Sequence, residues 1–212
     1  MRKLNFKGIL TRNQISEHLR DRNIVVEPLL DKKQINCASV DLRLDNFFAE
    51  FRTAKTPCID PATIKGAYRE FLDFVELEFF EDSYFLQPKK FALAQTFEYI
   101  SLPDDVVGHL EGRSSVARQG LTVHAAAGLV DPGFRGHLVF ELLNAGEMPL
   151  KLYPLMRVAK IAFYKTEKTE PYKGEYLIQI RIRTPGEDPD LKKINKIKKK
   201  LKSARKQALY GE

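Results

Sequence analysis

Residues 40 to 45 alternate strictly, Val40, Leu42 and Leu44 against Asp41, Arg43 and Asp45, within "CASVDLRLDNFFAEFR". A period of two is that of a half-buried strand. The chain before it reads differently. Thr11 stands three positions ahead of Gln14, the spacing of a capping box, and Ile15 and Leu19 follow as an apolar stripe, which predicts a short helix. "VVEPL" then closes that unit as an extended segment, because a residue preceding proline is pushed out of the helical region. Residues 53 to 70 are mixed and hold two prolines, and are expected to be an irregular excursion.

From residue 71 the pattern is one of short apolar runs. "FLDFVELEFFEDSYFLQPKKFALAQTFEYISLPDDVVGHLEG" breaks at acidic, proline and lysine turns, and "LTVHAAAGLVDPGFRGHLVFELLNAGEMPLKLYPLMRVAKIAFYKT" breaks at Asp-Pro-Gly, Asn-Ala-Gly and Tyr-Pro. Phe, Tyr, Val and Leu in such runs favour strands. Within the body only the N-terminal segment and residues 114 to 119 read as helix. The expected fold is therefore mainly β, a barrel or a jelly-roll-like double sheet. "YKGEYLIQIRIRTPGEDPD" reads as one more extended arm, closed by a link rich in proline and glycine.

Composition changes this picture at one point. The 212 residues are 43% apolar, enough for one substantial core, and the formal net charge is +7. Nine Lys or Arg and no acid lie in "LKKINKIKKKLKSARK", so without that stretch the net charge is −2. The basicity belongs to a tail, which would hold phosphates of a nucleic acid without reading bases. Leu191, Ile194, Ile197 and Leu201 recur there at helical spacing, so the tail is either an amphipathic helix on a partner or a solvated end. The expected division is residues 1–180 and a basic extension over 181–212. No apolar run reaches the roughly 20 residues of a membrane span, and the N-terminus has no apolar leader core. Cys37 and Cys58 are the only cysteines; a cytoplasmic protein with reduced thiols is expected.

Common chemical signatures are missing: there is no GxGxxG, GxxxxGK[ST] or HExxH. His109 begins an H-x-E, as in zinc deaminases, but those need a P-C-x-x-C segment, and Cys37 and Cys58 are 21 positions apart. No zinc is expected. "LVFELLN" places Glu141 in a strand on the face of Val139 and Leu143. Were that face internal, desolvation would raise its proton affinity and suit it to general-base work; the other reading is an edge strand with Glu141 in solvent. "GLVDPGFRG" sets Asp131 at a turn stiffened by Pro132 and permitted by Gly133, with Phe134 to pack over it. "EGRSSVARQG" supplies Arg113, Ser114, Ser115 and Arg118. Guanidinium forks, hydroxyls and the free N–H groups of a short helix suit an anion. Together these describe a polar, phosphorylated small substrate.

"ASVDLRL", "EGRSSVARQGL" and "AAGLVDPGFRGHLVFELLNAG" in this order and spacing resemble the dCTP deaminase and trimeric dUTPase superfamily, over roughly the first 180 residues. The resemblance implies a β-rich homotrimer with sites between subunits. It also implies a C-terminal arm closing over a nucleotide whose triphosphate carries Mg²⁺. Arg113, Ser114 and Ser115 would serve the phosphates and the reacting site, and Asp131 and Phe134 the deoxyribose pocket. Glu141 would activate water for attack at cytosine C4, with Ser114 and the Ala127 carbonyl placing that water and Arg118 organising Glu141 and the base. Tyr172, Tyr176 and Gln179 would belong to the lid.

The reaction so implied is dCTP to dUTP and ammonia, without zinc, with dUTP as product and dTTP as the candidate regulator. The alternatives are a bifunctional enzyme giving dUMP and pyrophosphate, or a dUTP diphosphatase alone, with Asp131 activating water at the α-phosphate. A binding protein that has lost turnover is the remaining class, opposed by the presence together of Arg113, Ser114, Asp131 and Glu141. Ala126 stands where many deaminases have threonine, and Gly128 makes "AAGLVD", which is closer to the bifunctional forms and dUTPases. In the arm, "IRIRTPGEDPD" replaces the family's glycine- and serine-rich lid end.

Overall fold

The alternating run becomes β3 (Val40–Phe51), which buries Val40, Leu42, Leu44, Phe48 and Ala49. The computed structural model describes residues 8–52, 58–59, 70–79 and 81–182. Ahead of β3 come β1 (Gly8–Ile9), α1 (Arg12–Arg20) and β2 (Val25–Glu27). After it come β4 (Leu72–Glu76), β5 (Tyr84–Leu86), β6 (Phe91–Ser101), β7 (Val106–Gly112), α2 (Ser114–Ala117), β8 (Leu121–Thr122), β9 (Leu129–Val130), β10 (Arg135–Asn144), β11 (Leu150–Leu152) and β12 (Arg157–Lys165). The mainly β architecture and the two short helices are those expected from the pattern. The basic extension over 181–212 falls, from residue 183 on, outside the described residues, and so does most of the excursion over 53–70.

Two compact units divide the chain: Met1–Phe51 with Asp73–Arg183, and Arg52–Leu72 with Thr184–Glu212. In the second, few residues are described; there the Arg52 N–H donates to the Phe71 carbonyl at 2.9 Å. The first unit carries a ten-stranded sheet whose spine runs β8-β10-β6-β3-β12-β7-β9, with β5 and β11 forming a small separate sheet. The pairings of β10 with β6, β3 with β6 and β12 with β3 are antiparallel, and each shifts register once, at His137/Val139, Leu44/Phe48 and Arg157/Ala159. Such irregularities bend strands and increase twist, so the sheet curls. Val40, Leu42, Leu44, Phe48, Ile100, Leu110, Phe140, Leu142, Ile161 and Phe163 meet in one core cluster. Each large side chain there contributes roughly 1.5–3 kcal/mol by leaving water.

α1 starts as its cap residues predict. Gln14 Oε1 accepts from both the N–H and the hydroxyl of Thr11 at 2.9 Å. Ile15 is fully buried and Leu19 packs against the core from its edge. Among the described residues no helix is long and apolar enough to cross a membrane. Cys37 and Cys58 are both exposed and unpaired.

A polar knot also sits inside the fold. Glu98, on β6, is fully buried. Its Oε1 accepts from Gln34 Nε2 at 3.0 Å and its Oε2 from the Arg43 N–H at 2.9 Å. Gln34 Oε1 in turn accepts from the N–H groups of Leu30 and Asp31 and from Arg43 Nε, at 3.0 to 3.2 Å. Burial pushes the Glu98 carboxyl up to about 7, against the opposing pull of its N–H donors and of Arg43.

Candidate active site

α2 begins where β7 ends, and Arg113 is the joint. Its N–H donates to the Val158 carbonyl at 2.9 Å, and its extended backbone (φ −77°, ψ 131°) turns the chain into a single helical turn. Val116 is buried and anchors that turn, which leaves Ser114, Ser115 and Arg118 exposed. Helix is expected over 114–119 and is observed over Ser114–Ala117. The Arg113 guanidinium is not simply open to solvent. Nε lies 3.2 Å from Asp41 Oδ2, and Nη1 donates to the Arg157 carbonyl at 3.0 Å.

Glu141 lies mid-way along β10, whose burial alternates. Leu138, Phe140 and Leu142 face the core, while Val139, Glu141 and Leu143 are only half buried. The internal placement considered for Glu141 is therefore corrected: the core takes Phe140 and its neighbours, and Glu141 falls on the opposite face. The carboxylate is instead tethered. Its Oε2 accepts from the N–H of Ala125 at 2.7 Å and of Ala126 at 3.3 Å, and its own N–H donates to the Val123 carbonyl at 3.0 Å. Oε1 has no protein donor among the described residues. Ala127 is exposed in the same loop. Gly128 closes that loop, its carbonyl accepting from the Leu110 N–H at 2.7 Å, beside the ring of His124. His109 is a β7 side chain, 3.8 Å from Glu111, and His124 reaches the same carboxylate at 3.9 Å.

Asp131 is exposed, and its carbonyl accepts from the Phe134 N–H at 3.1 Å to close the turn. Gly133 has φ +80°, and a Cβ there would lie 2.5 Å from Pro171 Cβ. The arm approaches the turn at that point. The Tyr172 N–H donates to the Pro132 carbonyl at 2.7 Å, and the rings of Tyr172 and Phe134 sit 6.3 Å apart. Tyr176 follows, its N–H donating to the Tyr172 hydroxyl at 3.3 Å. Burial, then Glu175, then Tyr172, raise the proton affinity of the Tyr176 phenol. Gln179 is 3% exposed and bridges Gly136 in parallel. Ile178 donates to the Arg135 carbonyl at 2.7 Å and Gln179 accepts from the His137 N–H at 2.8 Å.

The expected residues thus fall into three groups: Arg113 to Arg118 on α2, Glu141 with the 125–127 loop, and Asp131 and Phe134 with the arm. Among the described residues no hydrogen bond or ion pair within the chain joins the Arg113 group to Glu141 or Asp131. Four participants carry no expectation from sequence: Asp41, Arg157 and the amides of Ala125 and Ala126. Asp41 lies inside "ASVDLRL", a motif that could have pointed to it.

Residues 9–166 match the family described as dCTP deaminase-like. The chain is similar to the dUMP-forming dCTP deaminase of Methanothermobacter thermautotrophicus, 43% identical over 157 residues, 74% of this chain and 78% of that one. It is 42% identical over 169 residues to the dUMP-forming dCTP deaminase of Dictyoglomus turgidum, covering 79% and 84% of the two chains. Among solved structures, the fold is shared with the 2′-deoxycytidine 5′-triphosphate deaminase of Agrobacterium tumefaciens at a TM-score of 0.59 and 24% identity. That likeness covers 75% of this chain and 48% of that one, so this chain spans about half the length of that protein.

Proposed function

This chain is an enzyme of the dCTP deaminase-like family, and on that premise we propose that it carries dCTP through to dUMP, pyrophosphate and ammonia. The substrate is the Mg²⁺ complex of dCTP. One water replaces the 4-amino group of cytosine, giving dUTP and ammonia; a second displaces pyrophosphate at the α-phosphate.

The observation that carries this reading is the tether on Glu141. With Oε2 held by the amides of Ala125 and Ala126, Oε1 is the basic atom available to water. It takes the proton as the water adds to C4 and returns it to the departing amine. Ser114 and the Ala127 carbonyl orient that water, and Arg118 the base. Arg113 and the Ser114 and Ser115 hydroxyls receive the phosphates. Asp131 serves the deoxyribose and the second water, with Phe134, Tyr172, Tyr176 and Gln179 shaping the cover. Because the three groups are not joined within one chain, sites completed between the copies of a homotrimer account for them best.

A reaction that stops at dUTP is the simpler first expectation. Gly128, and relatives named for dUMP formation at 42–43% identity, favour the longer one. The test is chromatography of a reaction started with dCTP and Mg²⁺. Ammonia, dUMP and pyrophosphate should appear in equal amounts. Accumulating dUTP without pyrophosphate would restore the shorter reaction, and absence of ammonia would remove both.

A further inference from the structure

Asp41 is 4% exposed, and burying a carboxylate is costly unless cations and N–H donors replace its lost water. Three side chains do so. Asn36 Nδ2 donates to Oδ1 at 2.8 Å, while Arg113 Nε at 3.2 Å and Arg157 Nη1 at 3.3 Å share Oδ2. One carboxylate faces two guanidinium groups, so the cluster keeps a net positive charge. Arg113 is gripped a second time, by the Arg157 carbonyl on Nη1 at 3.0 Å. A planar fork held at Nε and Nη1 has one orientation left, and its remaining edge is Nη2, which has no protein acceptor among the described residues. Arg113 immediately precedes Ser114 and Ser115, whose hydroxyls likewise have no protein partner among the described residues.

We propose that Asp41 is a positioning residue: with the Arg157 carbonyl as second stop, it sets the Arg113 guanidinium so that Nη2 meets the nucleotide's phosphates. This rests on the nucleotide reading above and adds a residue that acts only through Arg113. Its consequence is that orientation matters at position 113 as well as charge. A lysine there keeps the charge but has no fork to be held at two points.

The experiment is a double-mutant cycle on dCTP binding, followed by calorimetry in Glu141→Gln protein, where turnover is slowed about 10²–10⁴-fold. Asp41→Asn and Arg113→Lys should each weaken binding about tenfold, and the two together no more than either alone, as for residues acting through one contact. A combined loss near the product of the two, about a hundredfold, would make Asp41 a structural residue and overturn the proposal. Should Asp41→Asn fail to fold, Asp41→Glu takes its place in the cycle: a loss that persists undiminished in the Arg113→Lys background overturns the proposal, and one that disappears there supports it. No dCTP binding by the parent protein would overturn the nucleotide reading itself, and the role of Asp41 with it.

Discussion

The N–H of Ala125 donates to Glu141 Oε2 at 2.7 Å across sixteen positions of sequence. The contact occupies Oε2, and the proposed reaction assigns the basic role to the other oxygen, Oε1. In Glu141→Gln the carboxamide oxygen would keep the Ala125 bond and the NH₂ group would stand where the basic oxygen was. Turnover should fall about 10²–10⁴-fold, with KM for dCTP within about threefold, because the base acts in the transition state and not in binding. Ammonia release and the change from cytosine to uracil absorbance measure this. A variant losing affinity but keeping kcat would make Glu141 a binding group.

Glu98 predicts a pH dependence of stability. The folded protein holds this proton up to about 7, whereas the unfolded chain gives it up near the ordinary value of 4.5. The stabilising contribution is therefore complete below 4.5 and is lost as pH rises through 7, a total of about 3 kcal/mol. Denaturant midpoints should decline across that window, and Glu98→Gln should flatten the decline. An equal slope in the variant would assign it to other groups.

Gly136 should tolerate no side chain. Its φ is +144°, and a Cβ would lie 2.7 Å from the Gln179 nitrogen and 2.8 Å from its carbonyl oxygen. Gly136→Ala is expected to cost about 1–3 kcal/mol in backbone strain and to lift the arm. Limited proteolysis should then cut within 172–182 faster than in the parent. Unchanged cleavage would show that the arm is held elsewhere.

Assembly can be weighed directly. A homotrimer of the 24.4 kDa chain has a mass of about 73 kDa and closed threefold symmetry. Light scattering that found an active monomer would end the idea of sites shared between copies.

Much of this was legible along the chain, for reasons that also mark where legibility ends. The Thr11–Gln14 cap and the β3 alternation are local, and local rules sufficed. Period two also separates Glu141 from Phe140, but cannot say which set faces inward; the covering strands decide that. Asp41 shows the same limit more sharply. Alternation sets it opposite Val40 and Leu42, as if toward water, yet it too is buried. Its cover comes from Arg113 and Arg157, 116 positions away in the latter case. Glu98 was not conspicuous because "FEYIS" reads as any strand until Gln34 and Arg43 close over it. In the sequence Gly133 reads only as turn punctuation. Gly136 and Gly133 also leave the room in which a segment forty residues later comes to rest.

That resting segment carries a clock. The amides of Tyr172 and Ile178 donate to Pro132 and Arg135, and that of His137 to Gln179. All three hydrogens are sealed only while the arm is down, so each exchanges with deuterium when it lifts. Where lifting is a single event the three share one rate, set apart from that of the β3–β6 ladder. A nucleotide under the arm would slow them by a common factor. Their exchange times how often the arm lifts, and requires no turnover to be read.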